Sequence, residues 1–267
     1  MNKPIFIKLG GSMLTDKTTA ERLVDQTLKQ VVTDLSAWRQ AHPNQPILLG
    51  HGGGSFGHYW AERYQTAQGI INEQSWWGVA RVADAMARLN RAVVGACLDA
   101  DLPAIGIQPM ASSLANAGEI QQIGSQPLAT LLAAGTIPVI YGDVLLDVAQ
   151  GCTIASTERI FSALVGPLQP TQIILLGEQA VYDADPRQHA DAQPIPLINR
   201  TNYATIIARL GGSHGVDVTG GMRNKVEAMW QLVQQAPQLE IWICGPQQLQ
   251  SALSGQLNGP GTIIKLD

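Results

Sequence analysis

Short apolar runs alternate along this chain with longer stretches in which apolar residues return every three or four positions. Ile5 to Leu9 is such a run and stops at Gly10-Gly11, as a buried strand does. Val24, Leu28, Val31, Leu35 and Trp38 then share one face of a predicted helix. Thr18, with Glu21 three residues on, predicts its capping box. Pro46 to Leu49 predicts a second strand, closing at His51-Gly52-Gly53-Gly54 with a helix after it. Val79 to Leu98 predicts a helix, Pro103 to Ile107 a strand, Leu128 to Ala134 a short helix and Ile137 to Tyr141 a strand. Val144 to Ile154 predicts a hairpin turning at Gln150-Gly151. Glu158 to Val165 and Lys225 to Gln235 predict helices. Gln172 to Leu176, Leu239 to Cys244 and Thr262 to Leu266 predict strands. Strands alternating with helices imply an α/β fold, with a mainly parallel sheet covered on both faces. Ligands of such sheets sit at the carboxyl ends of the strands, where the glycine clusters of this chain fall.

At 267 residues the chain can bury a sizeable core, as one large α/β domain or two lobes. It is 45% hydrophobic and 14% charged, the balance of a globular protein. A net charge of −4 argues against a dedicated nucleic-acid binder, which needs a basic face. No apolar run is long enough for a bilayer, and the first residues lack the layout of a signal peptide, so a cytoplasmic protein is expected. Cys97, Cys152 and Cys244 have no metal-type spacing and read as buried free thiols.

Three glycine-rich runs carry the chemistry. The first is Lys8-Leu9-Gly10-Gly11-Ser12, followed by Thr15-Asp16-Lys17. Glycine backbone can approach an anion closely and turn its N–H groups inward. Lys8 lies within an apolar strand, where an ammonium needs a compensating anion. The spacing of a Walker A loop is absent. The second run is His51-Gly52-Gly53-Gly54-Ser55-Phe56-Gly57-His58. It joins a glycine turn to a helix N-terminus, with His58 as a side-chain donor and His51 as a structural residue at the strand end. The third is Asp217-Val218-Thr219-Gly220-Gly221-Met222-Arg223-Asn224-Lys225. It sets a lysine in the first turn of a helix, which is unfavourable unless an anion lies over that terminus. Of only six lysines, Lys8, Lys17 and Lys225 fall in these runs, which points to a polyphosphate site in a net-acidic protein.

These runs, in this order, resemble the amino acid kinase superfamily. Gly-Gly-Gly-Ser-Phe-Gly-His and Asp-Val-Thr-Gly-Gly-Met-Arg-Asn-Lys are closely similar to the isopentenyl phosphate kinase family within it. So are Ile107-Gln108-Pro109, Gly142-Asp143, Ser156-Thr157-Glu158 and Tyr182-Asp183-Ala184-Asp185-Pro186. The resemblance runs from Lys8 to about Ala228.

It implies a three-layer α/β/α sandwich with a central mainly parallel sheet. The N-terminal lobe, about 1–165, would bind a phosphate acceptor and the C-terminal lobe, about 166–267, ATP. The reaction it implies is isopentenyl phosphate plus ATP giving isopentenyl diphosphate plus ADP, with Mg2+. Lys8 and Lys17 would contact the phosphates in transfer, and Gly10, Gly11 and Ser12 would cradle those of ATP. Gly53 and His58 would hold the acceptor phosphate, Gly54 would lie between acceptor and nucleotide, and Thr157 at the acceptor. Glu158 takes an acidic position near the nucleotide, and Gly220 and Lys225 would face ATP. Val82, Met86, Val144 and Ile154 would line the isoprenoid pocket, and each reads equally well as core. A homodimer is implied, with no dedicated metal site formed by protein side chains.

The chain departs from the family pattern at Gly177-Glu178-Gln179-Ala180-Val181-Tyr182, at Arg159, where a second acid is common, and at Tyr59, where proline is usual. A kinase for another phosphate or phosphonate acceptor, of the fosfomycin kinase kind, is the nearest alternative reading. A non-catalytic nucleotide- or oxyanion-binding protein is another, against which the three lysines speak.

Overall fold

The computed structural model describes residues 2–16, 18–210 and 221–267. The chain divides into two compact units, the first ending at Pro170 and the second running from Thr171 to Asp267. Both combine strands and helices, giving an α/β fold with mainly parallel sheet flanked by helices.

In chain order the first unit contains β1 (Ile5–Leu9), α1 (Gly11–Leu14), α2 (Asp25–Ala41), β2 (Ile47–His51), α3 (Gly54–Arg63), α4 (Ser75–Asp99) and β3 (Ala104–Gly106). It continues with α5 (Pro109–Ser112), β4 (Ser113–Asn116), β5 (Glu119–Ile123), α6 (Ser125–Ala133), β6 (Ile137–Tyr141), β7 (Asp143–Asp147), β8 (Gly151–Ala155) and α7 (Thr157–Leu168). Strands β3, β6, β2 and β1 pair in that order, all parallel. β1, β2 and β6 are almost wholly buried, which is why they read as unbroken apolar runs.

Successive strand residues face opposite sides of a sheet. A Cβ added to Gly50 would meet the side chains of Thr157 and Phe161 on α7, whereas the next residue, His51, contacts Asn90 on α4. Helices therefore cover both faces. On the α7 side the rings of Phe6 and Phe161 lie 5.0 Å apart. On the α4 side, Phe56, Val79, Val82, Ala85, Met86 and Leu89 form a core with Tyr141, Val144 and Cys152. A second sheet, ordered β5-β4-β7-β8, completes the unit.

The second unit contains β9 (Gln172–Leu176), β10 (Leu197–Ile198), α8 (Tyr203–Leu210), α9 (Gly221–Gln235), β11 (Glu240–Cys244), α10 (Leu249–Leu253) and β12 (Gly261–Ile264). Its strands follow the order β10-β12-β11-β9, with only β11–β12 antiparallel. The three cysteines are buried and free.

Two local expectations are corrected. Thr18 and Glu21 do not form a capping box. α2 begins at Asp25, with Val24 at its N-cap, and Thr18 instead bonds the Asp16 carboxylate through its N–H and hydroxyl. Glu21 sits at φ +56°, and its carboxylate accepts from the Trp60 indole and pairs with Arg88. Those contacts, made to distant residues, override the local pattern. The hairpin of β7 and β8 turns through Val148–Gln150 rather than at Gln150-Gly151; Gly151, at φ +82°, opens the returning strand. The Asp147 carboxylate fixes this turn by accepting the N–H groups of Ala149 and Gln150.

Candidate active site

β1 and β2 run parallel with Lys8 opposite Gly50 and Leu9 opposite His51, so their glycine loops leave the sheet side by side at its carboxyl edge. The loops touch through backbone. A Cβ on Gly11 would fall 2.4 Å from the nitrogen of Gly54, and one on Gly52 would fall 2.8 Å from the nitrogen of Gly11. No side chain fits at either point. Thr15, buried, ties the loops together: its hydroxyl donates to the Gly11 carbonyl at 2.9 Å and accepts the Ser55 N–H at 2.9 Å.

Gly53 is right-handed helical, at φ −78° and ψ −28°, and Gly54 is left-handed, at φ +47°. A right-handed residue followed by a left-handed one turns successive N–H groups to one side, forming a nest for an anion. Among the described residues, no carbonyl or side chain accepts the Gly53 or Gly54 N–H. The positive end of α3 starts at the same point. His58 is exposed on α3, four residues after Gly54, and therefore on the same helix face as the nest.

Lys8 points to the first turn of α7, where its ammonium pairs with Glu158. Both side chains are largely buried, at 13% and 18% exposure, so Glu158 is the anion that compensates the lysine in the strand. Ser156 caps α7 by accepting the Arg159 N–H. Arg159, where the resemblance expects an acid, reaches instead to the carbonyls of Ile154 and Gly118, tying β8 to the turn between β4 and β5. Thr157 is buried, and its hydroxyl donates to the His51 carbonyl at 2.6 Å, a tie beneath the loop.

Val82, Met86 and Val144 are buried in one cluster, with Ile154 packed against it. Trp76 and Trp77, by contrast, are 50% and 64% exposed. Asp143, at the start of β7, is buried and accepts the N–H groups of Met110 and Val144; burial pushes its carboxyl up to about 7.

Among the described residues, no three His, Cys, Asp or Glu side chains converge as a metal site, and no helix is long and apolar enough to cross a membrane. Gly10, Gly11, Ser12, Gly53, Gly54 and Glu158 belong to the loops and helix ends of the first unit, and Lys8 to the end of β1. Lys225 lies half-buried near the start of α9 in the second. Lys17 and Gly220 lie outside the described residues. Thr15 and Asn90 carry structural ties that sequence reasoning had not assigned. Asn90 has a visible signal, as a polar residue on an apolar helix face, four positions after Met86.

A family model described as "Amino acid kinase family" matches residues 3–244. An isopentenyl phosphate kinase of Haloferax volcanii is 32% identical over 98% of this chain and 98% of its own. Another, of Methanothermobacter thermautotrophicus, is 30% identical over 94% of this chain and 96% of its own. An X-ray structure of an isopentenyl phosphate kinase superposes with a TM-score of 0.79, at 27% identity, over 98% of this chain and 99% of that one. The chain belongs to the amino acid kinase family and, within it, to the isopentenyl phosphate kinase family.

Proposed function

We propose that this protein transfers the γ-phosphoryl group of ATP to isopentenyl phosphate, giving isopentenyl diphosphate and ADP. One observation carries the reading: a nest of N–H groups at Gly53 and Gly54, which no described residue accepts, lies on an apolar cluster containing Met86, Phe56 and Val82. A ligand with an anionic head and a short hydrocarbon tail matches both parts. The relatives named above act on such a compound, as their names state.

In the proposed reaction an oxygen of the acceptor phosphate forms the new bond to the γ-phosphorus. The bond from that phosphorus to the bridging oxygen breaks, and ADP leaves with the electron pair. A phosphate monoester is already anionic at neutral pH, so no side chain need remove a proton. The obstacle is the repulsion of two anions, and catalysis is then positioning plus charge stabilisation. Gly53, Gly54 and His58 hold the acceptor phosphate. Gly10, Gly11 and Ser12 lie along the ATP phosphates, with Lys8 and Lys17 at the transferred group. Glu158 keeps the Lys8 ammonium at the strand end, and Gly220 and Lys225 bind the nucleotide. Magnesium enters with the nucleotide, as MgATP, because the ion is well served by phosphate oxygens and water.

The test is direct. The purified protein is incubated with MgATP and isopentenyl phosphate, and the products are followed by phosphorus NMR. Paired diphosphate resonances of a prenyl diphosphate should grow as the monoester resonance declines. ATP loss without them would overturn the assignment.

A further inference from the structure

His51 closes β2 with its ring fully buried on the α4 side of the sheet, stacked on Tyr141 at 5.3 Å. Asn90, also buried, places its amide nitrogen 3.2 Å from His51 Nε2. An amide nitrogen only donates, so Nε2 is the bare ring nitrogen and Nδ1 carries the hydrogen. Nδ1 in turn donates to the Gly52 carbonyl at 3.1 Å. Burial holds the ring neutral by lowering its pKa to about 4. The backbone of His51 is fixed as well, since its carbonyl accepts the Thr157 hydroxyl and the Gly142 N–H.

These bonds have a consequence one residue further on. In a trans peptide the carbonyl and the following N–H point in opposite directions. Holding the Gly52 carbonyl toward the His51 ring therefore turns the Gly53 N–H away from it, outward into the nest. Glycine offers little resistance to rotation of that peptide plane, so something else must set it. Without Asn90 the neutral ring can move its hydrogen to Nε2, leaving Nδ1 bare against a carbonyl, and two acceptors repel.

We propose that Asn90 and His51 form a positioning relay, in which Asn90 fixes the histidine tautomer and His51 aims the Gly53 N–H at the acceptor phosphate. This inference rests on the reading of the nest given under the proposed function.

The experiment compares full-length wild type with His51→Phe, His51→Asn and Asn90→Leu, in steady-state kinetics and melting temperature. Asparagine carries an amide nitrogen where the ring carries Nδ1, so His51→Asn keeps the donor and loses the ring. His51→Phe keeps the ring and loses the donor. The expected result is a rise of about tenfold or more in the KM for isopentenyl phosphate in His51→Phe, the scale of one hydrogen bond to a charged group. The KM for ATP should stay within about twofold. His51→Asn should recover most of the loss despite a lower melting temperature, and Asn90→Leu should shift the acceptor KM in the same direction as His51→Phe. The relay is overturned if both KM values rise together in step with lost stability, or if His51→Asn is no better than His51→Phe. If the wild type does not turn over isopentenyl phosphate, the functional reading fails separately. Inorganic phosphate, titrated against the Gly53 amide resonance, then decides the relay. Weaker phosphate binding in Asn90→Leu and His51→Phe supports it, and equal affinity overturns it.

Discussion

The Met86 sulfur lies directly against Gly53: a Cβ placed on that glycine would come within 2.9 Å of it, and one on Gly57 would do the same. The α4 core thus supports the nest from below. Met86 is 1% exposed, so Met86→Ala should leave a cavity and cost about 2–5 kcal/mol, read as a lower melting temperature. The same change opens apolar volume beside the proposed acceptor head. The ratio of kcat/KM for geranyl phosphate to that for isopentenyl phosphate should therefore rise. An unchanged ratio with lost stability would make Met86 loop support only, and remove it from the tail pocket.

Lys8 and Glu158 make a second test. Lys8→Met removes the cation proposed to meet the transferred group and should lower kcat by on the order of a hundredfold, as loss of one strong transition-state donor does. Glu158→Gln keeps a hydrogen-bond acceptor for Lys8 but not its charge. A smaller loss is expected, mainly in kcat. Wild-type kinetics in Lys8→Met would take the lysine out of the reaction.

His58 is exposed beside the nest and is the histidine proposed to touch substrate. His58→Ala should cripple turnover of isopentenyl phosphate at subsaturating acceptor, and His58→Gln should retain part of it if hydrogen bonding is what the site needs. Full activity in the alanine variant would contradict the role.

Asp143 gives a pH prediction. Its folded pKa, about 7, lies above the 3.8 of a free aspartate, because burial disfavours the charge. Between about pH 4 and 7 the folded state keeps a proton that the unfolded state releases. Its stabilising effect is thus full below pH 4 and lost as pH rises through 7. Asn mimics the protonated form and does not titrate. From pH 5 to 8, wild type should lose stability relative to Asp143→Asn, by on the order of a few kcal/mol. The depressed His51 pKa works in the opposite sense between about pH 4 and 6.5, and it cancels in this comparison. Parallel stability profiles would mean that Asp143 is ionised in the fold.

The core strands were readable because they are buried on both faces. Ile137–Tyr141 and Gln172–Leu176 lie where their apolar runs end. The glycine clusters were readable as close-approach points because the chain needs them there, Gly11 against Gly54 above all. The hairpin of β4 and β5 was not, since both strands are polar and half-exposed and show no period. Nor was the partner of Lys8, because Glu158 lies 150 positions away and only the fold joins them. Thr18 and Glu21 misled for a related reason: a local capping pattern gave way to the Trp60 and Arg88 contacts of Glu21.

The central claim, that an isoprenoid phosphate is the acceptor, is tested most directly by a coupled ADP-release assay across acceptors. Isopentenyl phosphate, fosfomycin, acetylglutamate and glutamate are compared by kcat/KM under one set of conditions. A nest for a phosphate head above an apolar cluster predicts isopentenyl phosphate first, by at least about a hundredfold over the carboxylate acceptors, whose heads and polar bodies match neither part. A higher kcat/KM for fosfomycin or for a carboxylate acceptor would contradict it.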